Sequence, residues 1–192
     1  MSTNEDDYLE FLSIHVPEGP LTSRLASLRE GEPIWVNNKS TGTLTMGHVL
    51  AGRHLYLLST GTGLAPFISL IHDARLFQRF KKIILVHTVR VMAELAYKQE
   101  IEGLPNPNLY YVPTVTREPF AINARGADLF RRGELFNLLN LPAANPQQDR
   151  VMICGNPNMN MEMKEYLKHH GWIETSHRGI GNFTTEKAFV IR

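Results

Sequence analysis

Residues 55–71, LYLLSTGTGLAPFISLI, run from an unbroken apolar stretch through two close glycines into a second apolar stretch with helical spacing. Leu55 to Leu58 are too uniformly apolar for a half-exposed strand and read as one covered on both faces. Gly61 and Gly63 permit a sharp turn and a close approach of backbone to a ligand, and Pro66 suits the first turn of the helix that follows. A strand, a glycine turn and a helix start together form a place where free N–H groups can meet an anion. The turn is not a Walker loop, because Leu64 follows Gly63 where Lys-Ser/Thr would be needed. Nor does it complete G-x-G-x-x-G, since Pro66 stands at the third glycine. Taken alone, it is equally a tight turn with no ligand.

The same rhythm continues beyond it. The pattern predicts strands over 54–59, 81–89, 109–115, 150–155 and 187–191, and helices over 65–80, 91–104, 126–139 and 156–170, with Glu94 and Lys98 paired at i,i+4. Apolar strands alternating with helices imply an α/β fold with a doubly wound parallel sheet. Ligands of such sheets bind beyond the carboxyl ends of the strands, which singles out residues 59–63, 88–90, 116–119 and 154–158. The first fifty residues read differently. Strands are expected over 11–16, 33–38 and 42–46, with a short helix over 18–28, as in a partial antiparallel β-barrel segment. The expected division is 1–52 and 53–192.

Composition narrows the function classes. The 192 residues carry a net charge of +1, which favours neither nucleic acid nor an anionic membrane as partner. Cys154 is the single cysteine, so neither an internal disulfide nor a four-cysteine cluster can form. The eight histidines show no H-E-x-x-H pattern, and no metal site is expected. No apolar run approaches the roughly 20 residues of a membrane span, and the acidic start MSTNEDDYLE does not resemble a signal peptide. A cytoplasmic protein is expected.

Arginines cluster at the predicted strand ends. Arg90 follows LVHTV, Arg117 lies in TVTREP, and Arg125 follows eight residues later. Each alone could be a solvated surface charge. Together they suit the 2′-phosphate of NADP, since a guanidinium grips phosphate with two parallel bonds. Cys154, which with Gly155 ends an apolar strand before NPNM, is either a small buried apolar residue or a compact side chain that permits close approach of a ring, and Asn156 opens a helix. Phe189, in the closing TTEKAFVIR, is either a core residue or an aromatic lid, and Glu186 either a surface charge or a proton relay.

The stretches LLSTGTGLAPFISLI, ILVHTVR, PTVTREPF, VMICGNPNM and EKAFV, in this order, resemble bacterial ferredoxin–NADP reductases. DYLEFLSIHVPEGPLTSRL is similar to the later part of their FAD-binding barrel. The resemblance implies FAD and NADP as cofactors, ferredoxin or flavodoxin as partner, and electron transfer between NADP(H) and that partner through FAD. By motif, Thr22 and Ser23 would contact the FAD pyrophosphate. Thr62 and Cys154 would line the nicotinamide site, with small residues such as Gly63 and Gly155 beside the ring stack. Arg90, Arg117 and Arg125 would hold the adenosine phosphate, while Ala188 and Phe189 would cover the flavin. The family's Arg-x-Tyr-Ser barrel motif is missing, so either the product is truncated or another chain supplies the rest. The alternative function is NADP(H) binding without stable FAD or turnover, and incomplete barrel edges would favour self-association. The reductase component of an oxygenase is a third reading.

Overall fold

The computed structural model describes residues 1–188 other than 4, 40 and 177. Five strands form one wholly parallel sheet: β1 (His54–Thr60), β2 (Lys82–Val89), β3 (Leu109–Val115), β4 (Arg150–Gly155) and β5 (Phe183–Lys187). Their spatial order is β3-β2-β1-β4-β5, so the chain steps outward from β1 to β3 and then returns to the other side of β1. This return makes the carboxyl ends of β1 and β4 the topological switch point, the place where ligands of such sheets bind. Between the strands run α2 (Ala65–Ile71), α3 (Ala74–Arg79), α4 (Lys98–Gly103), α5 (Gly126–Arg131), α6 (Glu134–Leu138) and α7 (Pro157–His169), with α1 (Thr22–Leu25) ahead of the sheet.

The apolar strands explain the layering. Central β1 and β4 are buried along nearly their whole length, whereas the edge strand β3 is half-exposed and tolerates Pro113, which cannot donate to a ladder. Alternate side chains serve two cores. Leu55, Leu57, Ile83 and Leu85 pack with Phe67, Ile68 and Leu76 of α2 and α3. Tyr56, Leu58, Ile84 and Val86 pack with Phe130, Phe136 and Leu167 on the opposite face. At the amino ends of β1 and β4, the fully buried carboxylate of Asp149 accepts from Arg53 Nε at 3.0 Å and from the amides of His54 and Asn145 at 3.1 and 2.8 Å. A buried charge held by a guanidinium and two amides is adequately compensated and aligns the two strands.

Several expected elements differ. No strand forms among the described residues of 1–53, so the expected barrel strands over 11–16, 33–38 and 42–46 have no ladder there. A strand needs a neighbour to satisfy its backbone, and alternation alone does not supply one. Met1, Leu44 and Val49 nevertheless enter the core beneath α2. The helix expected over 18–28 shortens to α1. The helix over 65–80 is interrupted by Asp73, whose carboxylate accepts from Arg75 N and caps α3. Gly133 at φ 79° divides the helix over 126–139. Only α4 forms within 91–104, after a 3-10 turn and a left-handed Tyr97. Consequently Glu94 pairs with Arg90 and Lys98 with Glu102, replacing the expected Glu94–Lys98 pair. The last strand begins at Phe183, four residues before the expected start, and residues 189–191 of the expected strand lie outside the described residues.

Candidate functional site

Two backbones meet closely at the switch point. After β1 the chain makes a 3-10 turn over Gly61–Leu64 and enters α2 with Pro66 in its first turn. A Cβ at Gly63 would overlap the Cys154 carbonyl, and one at Gly155 would overlap Thr60 Oγ1. Gly155 also has φ +150°, a conformation that side chains rarely adopt. These glycines therefore let the β1 and β4 loops touch. The place a Gly63 side chain would take is filled by the Cys154–Gly155 backbone and is not an open ligand cavity. Gly61 (φ +53°) is the exposed member, and Thr62 beside it is half-buried.

Thr60, which the motif reading passed over, joins the loops. Its Oγ1 accepts from Asn156 N at 2.7 Å, and Asn156 Oδ1 accepts from Asn158 N at 2.8 Å to cap α7. Pro157 takes the next position, where a missing N–H is harmless. The amino end of α7 is thus set beside Thr60–Gly61, on the opposite face of the sheet from α2. Cys154 is buried, and burial together with nearby Glu186 pushes its thiol up to about 12. It is a protonated, compact wall and not a nucleophile.

Glu186, paired with Cys154 across the β4–β5 ladder, uses its carboxylate to accept from the amides of Thr43 and Leu44. It ties the 42–44 segment to β5. Ala188 N donates to Gly155 O at 3.1 Å, so the chain leaving β5 passes the switch point. Phe189 lies outside the described residues. Thr22 Oγ1 bonds Val16 O and Ser23 Oγ bonds Gly19 O, at 3.2 and 2.5 Å, so both hydroxyls are engaged within their own loop.

The arginines gather at the ends of β2 and β3. Arg117 N donates to Arg90 O at 2.8 Å, which makes the two residues neighbours. Arg125 precedes α5, and the start of α5 is fixed by Thr88. The Thr88 hydroxyl oxygen accepts from Gly126 N at 3.0 Å and from Thr114 Oγ1 at 2.8 Å. A Cβ at Gly126 would strike Val86, so only glycine brings α5 this close to the strand. Arg90 is already paired with Glu94, through Nε to Oε1 at 2.9 Å, which holds the Glu94 carboxyl below its usual range. Arg117 and Arg125 are exposed and make no ion pair among the described residues. Arg117 also lines a shallow concavity with Thr116, Glu118, Pro119, Phe120 and Asn123. A guanidinium without an ion-pair partner, at the strand-end edge, can pair with a phosphate.

Other cations are engaged elsewhere. Lys82 lies 4.4 Å over the Tyr110 ring, at the amino end of β2, and Arg131 pairs with Asp128 and Glu162. Among the described residues there is no cluster of three or more metal-ligating side chains. No helix among them is long and apolar enough to cross a membrane.

Comparison with known proteins matches residues 57–165 to the family described as "Oxidoreductase NAD-binding domain". The chain is 49% identical, over 200 aligned positions, to the ferredoxin–NADP reductase of Azotobacter vinelandii, an alignment covering 98% of this chain and 78% of that one. It is 48% identical, with the same coverage, to the ferredoxin–NADP reductase of Pseudomonas aeruginosa. Among solved structures, a ferredoxin NADP+ reductase from Neisseria gonorrhoeae with bound FAD and NADP superposes with a TM-score of 0.83 at 28% identity, over 91% of this chain and 72% of that one.

Proposed function

The chain belongs to the ferredoxin–NADP reductase family, and on that premise we propose that it is a flavoprotein oxidoreductase moving electrons between NADP(H) and a ferredoxin or flavodoxin through FAD. The observation that carries this reading is the pair of unpaired arginines, Arg117 and Arg125, on the same sheet edge as the β1–β4 crevice. Their charge and fork geometry fit a 2′-phosphate, so the dinucleotide runs from that edge to the switch point. Arg90 borders the same phosphate while its own partner Glu94 holds it in place. Thr62, Cys154, Gly155 and Asn156 receive the nicotinamide end. Gly63 contributes by letting the loops close under it, and the neutral thiol of Cys154 allows ring contact without competing chemistry.

FAD, when bound, takes a hydride from NADPH and passes single electrons onward. The chain's residues have to place two rings in contact and keep water out, and the small, neutral groups at Thr62 and Cys154 suit that task. Ala188, held on Gly155, and Phe189 after it cover the flavin side, with Thr22 and Ser23 at its pyrophosphate. Glu186 accepts from Thr43 and Leu44 through Oε1, so a proton relay there would run through Oε2. The division at 52/53 separates a flavin-side segment from the NADP-binding sheet, and a cytoplasmic setting suits both partners.

The test is turnover. Purified chain supplemented with FAD should reduce ferricyanide with NADPH and show the visible bands of bound flavin. A second reading rests on the first 53 residues, which form no described ladder and engage Thr22 and Ser23 within their own loop. Under it the chain binds NADP(H) without retaining FAD. Colourless protein that still binds NADP+ would select this second reading, and protein that does neither would exclude both.

A further inference from the structure

One side chain at the arginine edge has no part in the scheme above. Asn123 is exposed and lies two residues before Arg125. Its Nδ2 donates to the carbonyl of Val115 at 2.8 Å and to the carbonyl of Glu118 at 2.8 Å. Both protons of the amide are used, and chemistry fixes its orientation, because the reverse would set an acceptor against two others. One side chain thus holds the last residue of β3 and the loop beyond it together.

The loop that Asn123 spans carries Arg117. Its base is closed by Val115 N, which donates to Ile122 O at 3.1 Å. Its first residues lie along the end of β2, with Thr116 N donating to Val89 O at 3.1 Å and Arg117 N to Arg90 O at 2.8 Å. The Glu118 carboxylate accepts from Met92 N. On the other side of Asn123, Arg125 leads into α5, whose start Thr88 fixes. Asn123 is therefore a direct link between the segment carrying Arg117 and the segment carrying Arg125. We propose that Asn123 is a positioning residue for recognition of the 2′-phosphate. By tying the two backbone segments together, it sets where Arg117 and Arg125 stand before the nucleotide arrives. This rests on the reading of this edge as the phosphate site.

A turn needs closing whether or not it binds anything, and the Val115–Ile122 bond already does that. Asn123 adds the tie to Glu118, next to Arg117 in the chain. Without that tie the loop would have to become ordered on binding, and the ordering would weaken the contact Arg117 makes. Alanine would leave both carbonyls without this donor. The bond to Glu118 is exposed, so water can replace it, whereas the bond to Val115 is half-buried and its loss lowers stability. A modest structural effect is therefore expected beside the functional one, and the two have to be separated.

The experiment is calorimetric titration of NADP+ and NAD+ into the wild-type chain, Asn123→Ala, Arg117→Ala and the double variant, with melting temperatures alongside. Asn123→Ala should bind NADP+ more weakly by roughly fivefold or more, and NAD+ within about twofold of wild type. Its melting temperature should fall by no more than about 2–4 °C, as the loss of one partly buried hydrogen bond implies. In the Arg117→Ala background the same substitution should change NADP+ affinity by less than about twofold, because the arginine through which it acts is gone. If alanine does not fold, Asn123→Ser, which keeps one donor, takes its place with the same pattern expected. The proposal is overturned if Asn123→Ala binds NADP+ as wild type does, or if NADP+ and NAD+ affinities fall together, which is what a purely structural role produces. It is equally overturned if the loss persists undiminished in the Arg117→Ala background. A wild-type chain that binds both nucleotides equally defeats the phosphate reading itself and the proposal with it, a result visible before any variant is made.

Discussion

Gly155 combines two constraints in one residue, a φ of +150° and a missing Cβ that leaves room for Thr60 Oγ1. Gly155→Ala should therefore destabilise the chain by about 2–4 kcal/mol, measured as a lower denaturant midpoint at unchanged slope. His87 makes a second residue-level prediction. Burial pushes its imidazole down to about 4 from an ordinary value near 6.5, so the folded chain prefers the neutral ring. Its contribution to stability is complete above about pH 6.5 and is lost as pH falls toward 4, on the order of 3 kcal/mol in all. Burial lowers His54 in the same direction. Denaturation at pH 7 and pH 5 should show the loss in wild type and a smaller one in His87→Gln, which keeps a partner for the Tyr111 hydroxyl. At this scale the sequence revealed residue types but not their neighbours. Gly63 and Gly155 mark a tight site from sequence alone, yet what fills the space beside them is visible only once β1 and β4 lie side by side. Thr60 is signalled by no motif, because its partner is 96 residues away.

Among the elements, the Thr114–Thr88–Gly126 chain of hydrogen bonds decides where α5 begins, and with it Arg125. Thr88→Val keeps the shape but removes the acceptor, leaving a buried amide unsatisfied. We expect a loss of about 1–3 kcal/mol in stability together with weaker NADP+ binding, read by denaturation and by titration of the same sample. The strands themselves were legible because β1, β2 and β4 are buried on both faces and consist of unbroken apolar runs. The helices were legible only as apolar stretches. The breaks at Asp73 and Gly133 have ordinary local causes, a side-chain cap and a left-handed glycine, that periodicity overrides when read alone. The Glu94–Lys98 pair failed for a related reason: i,i+4 spacing brings side chains together only on a helix, and Tyr97 interrupts this one.

Taken as a whole, the molecule is asymmetric. The sheet packs two cores, whereas Tyr8, Leu9, Phe11, Ile34 and Trp35 are exposed, Trp35 fully so. Exposed apolar groups of this size invite association, so the chain should sediment above its 21.8 kDa monomer mass at micromolar concentration, and Trp35→Ser should shift it toward monomer. Hydrogen exchange should be slow over 54–60, 82–89 and 150–155 and fast over 11–36. Alternation in the first fifty residues was visible in the sequence, but a strand also needs a partner, and no pattern within one segment reports whether it has one.

The central claim is that the sheet edge carrying Arg117 and Arg125 recognises a 2′-phosphate, and calorimetric titration of the purified chain with NADP+ and NAD+ tests it most directly. NADP+ should bind tighter by roughly 10- to 100-fold, as one charged hydrogen-bonded contact of about 1.5–3 kcal/mol implies, and Arg117→Ala should remove most of the difference. Equal affinities for the two nucleotides, or a preference that survives Arg117→Ala together with Arg125→Ala, would contradict it.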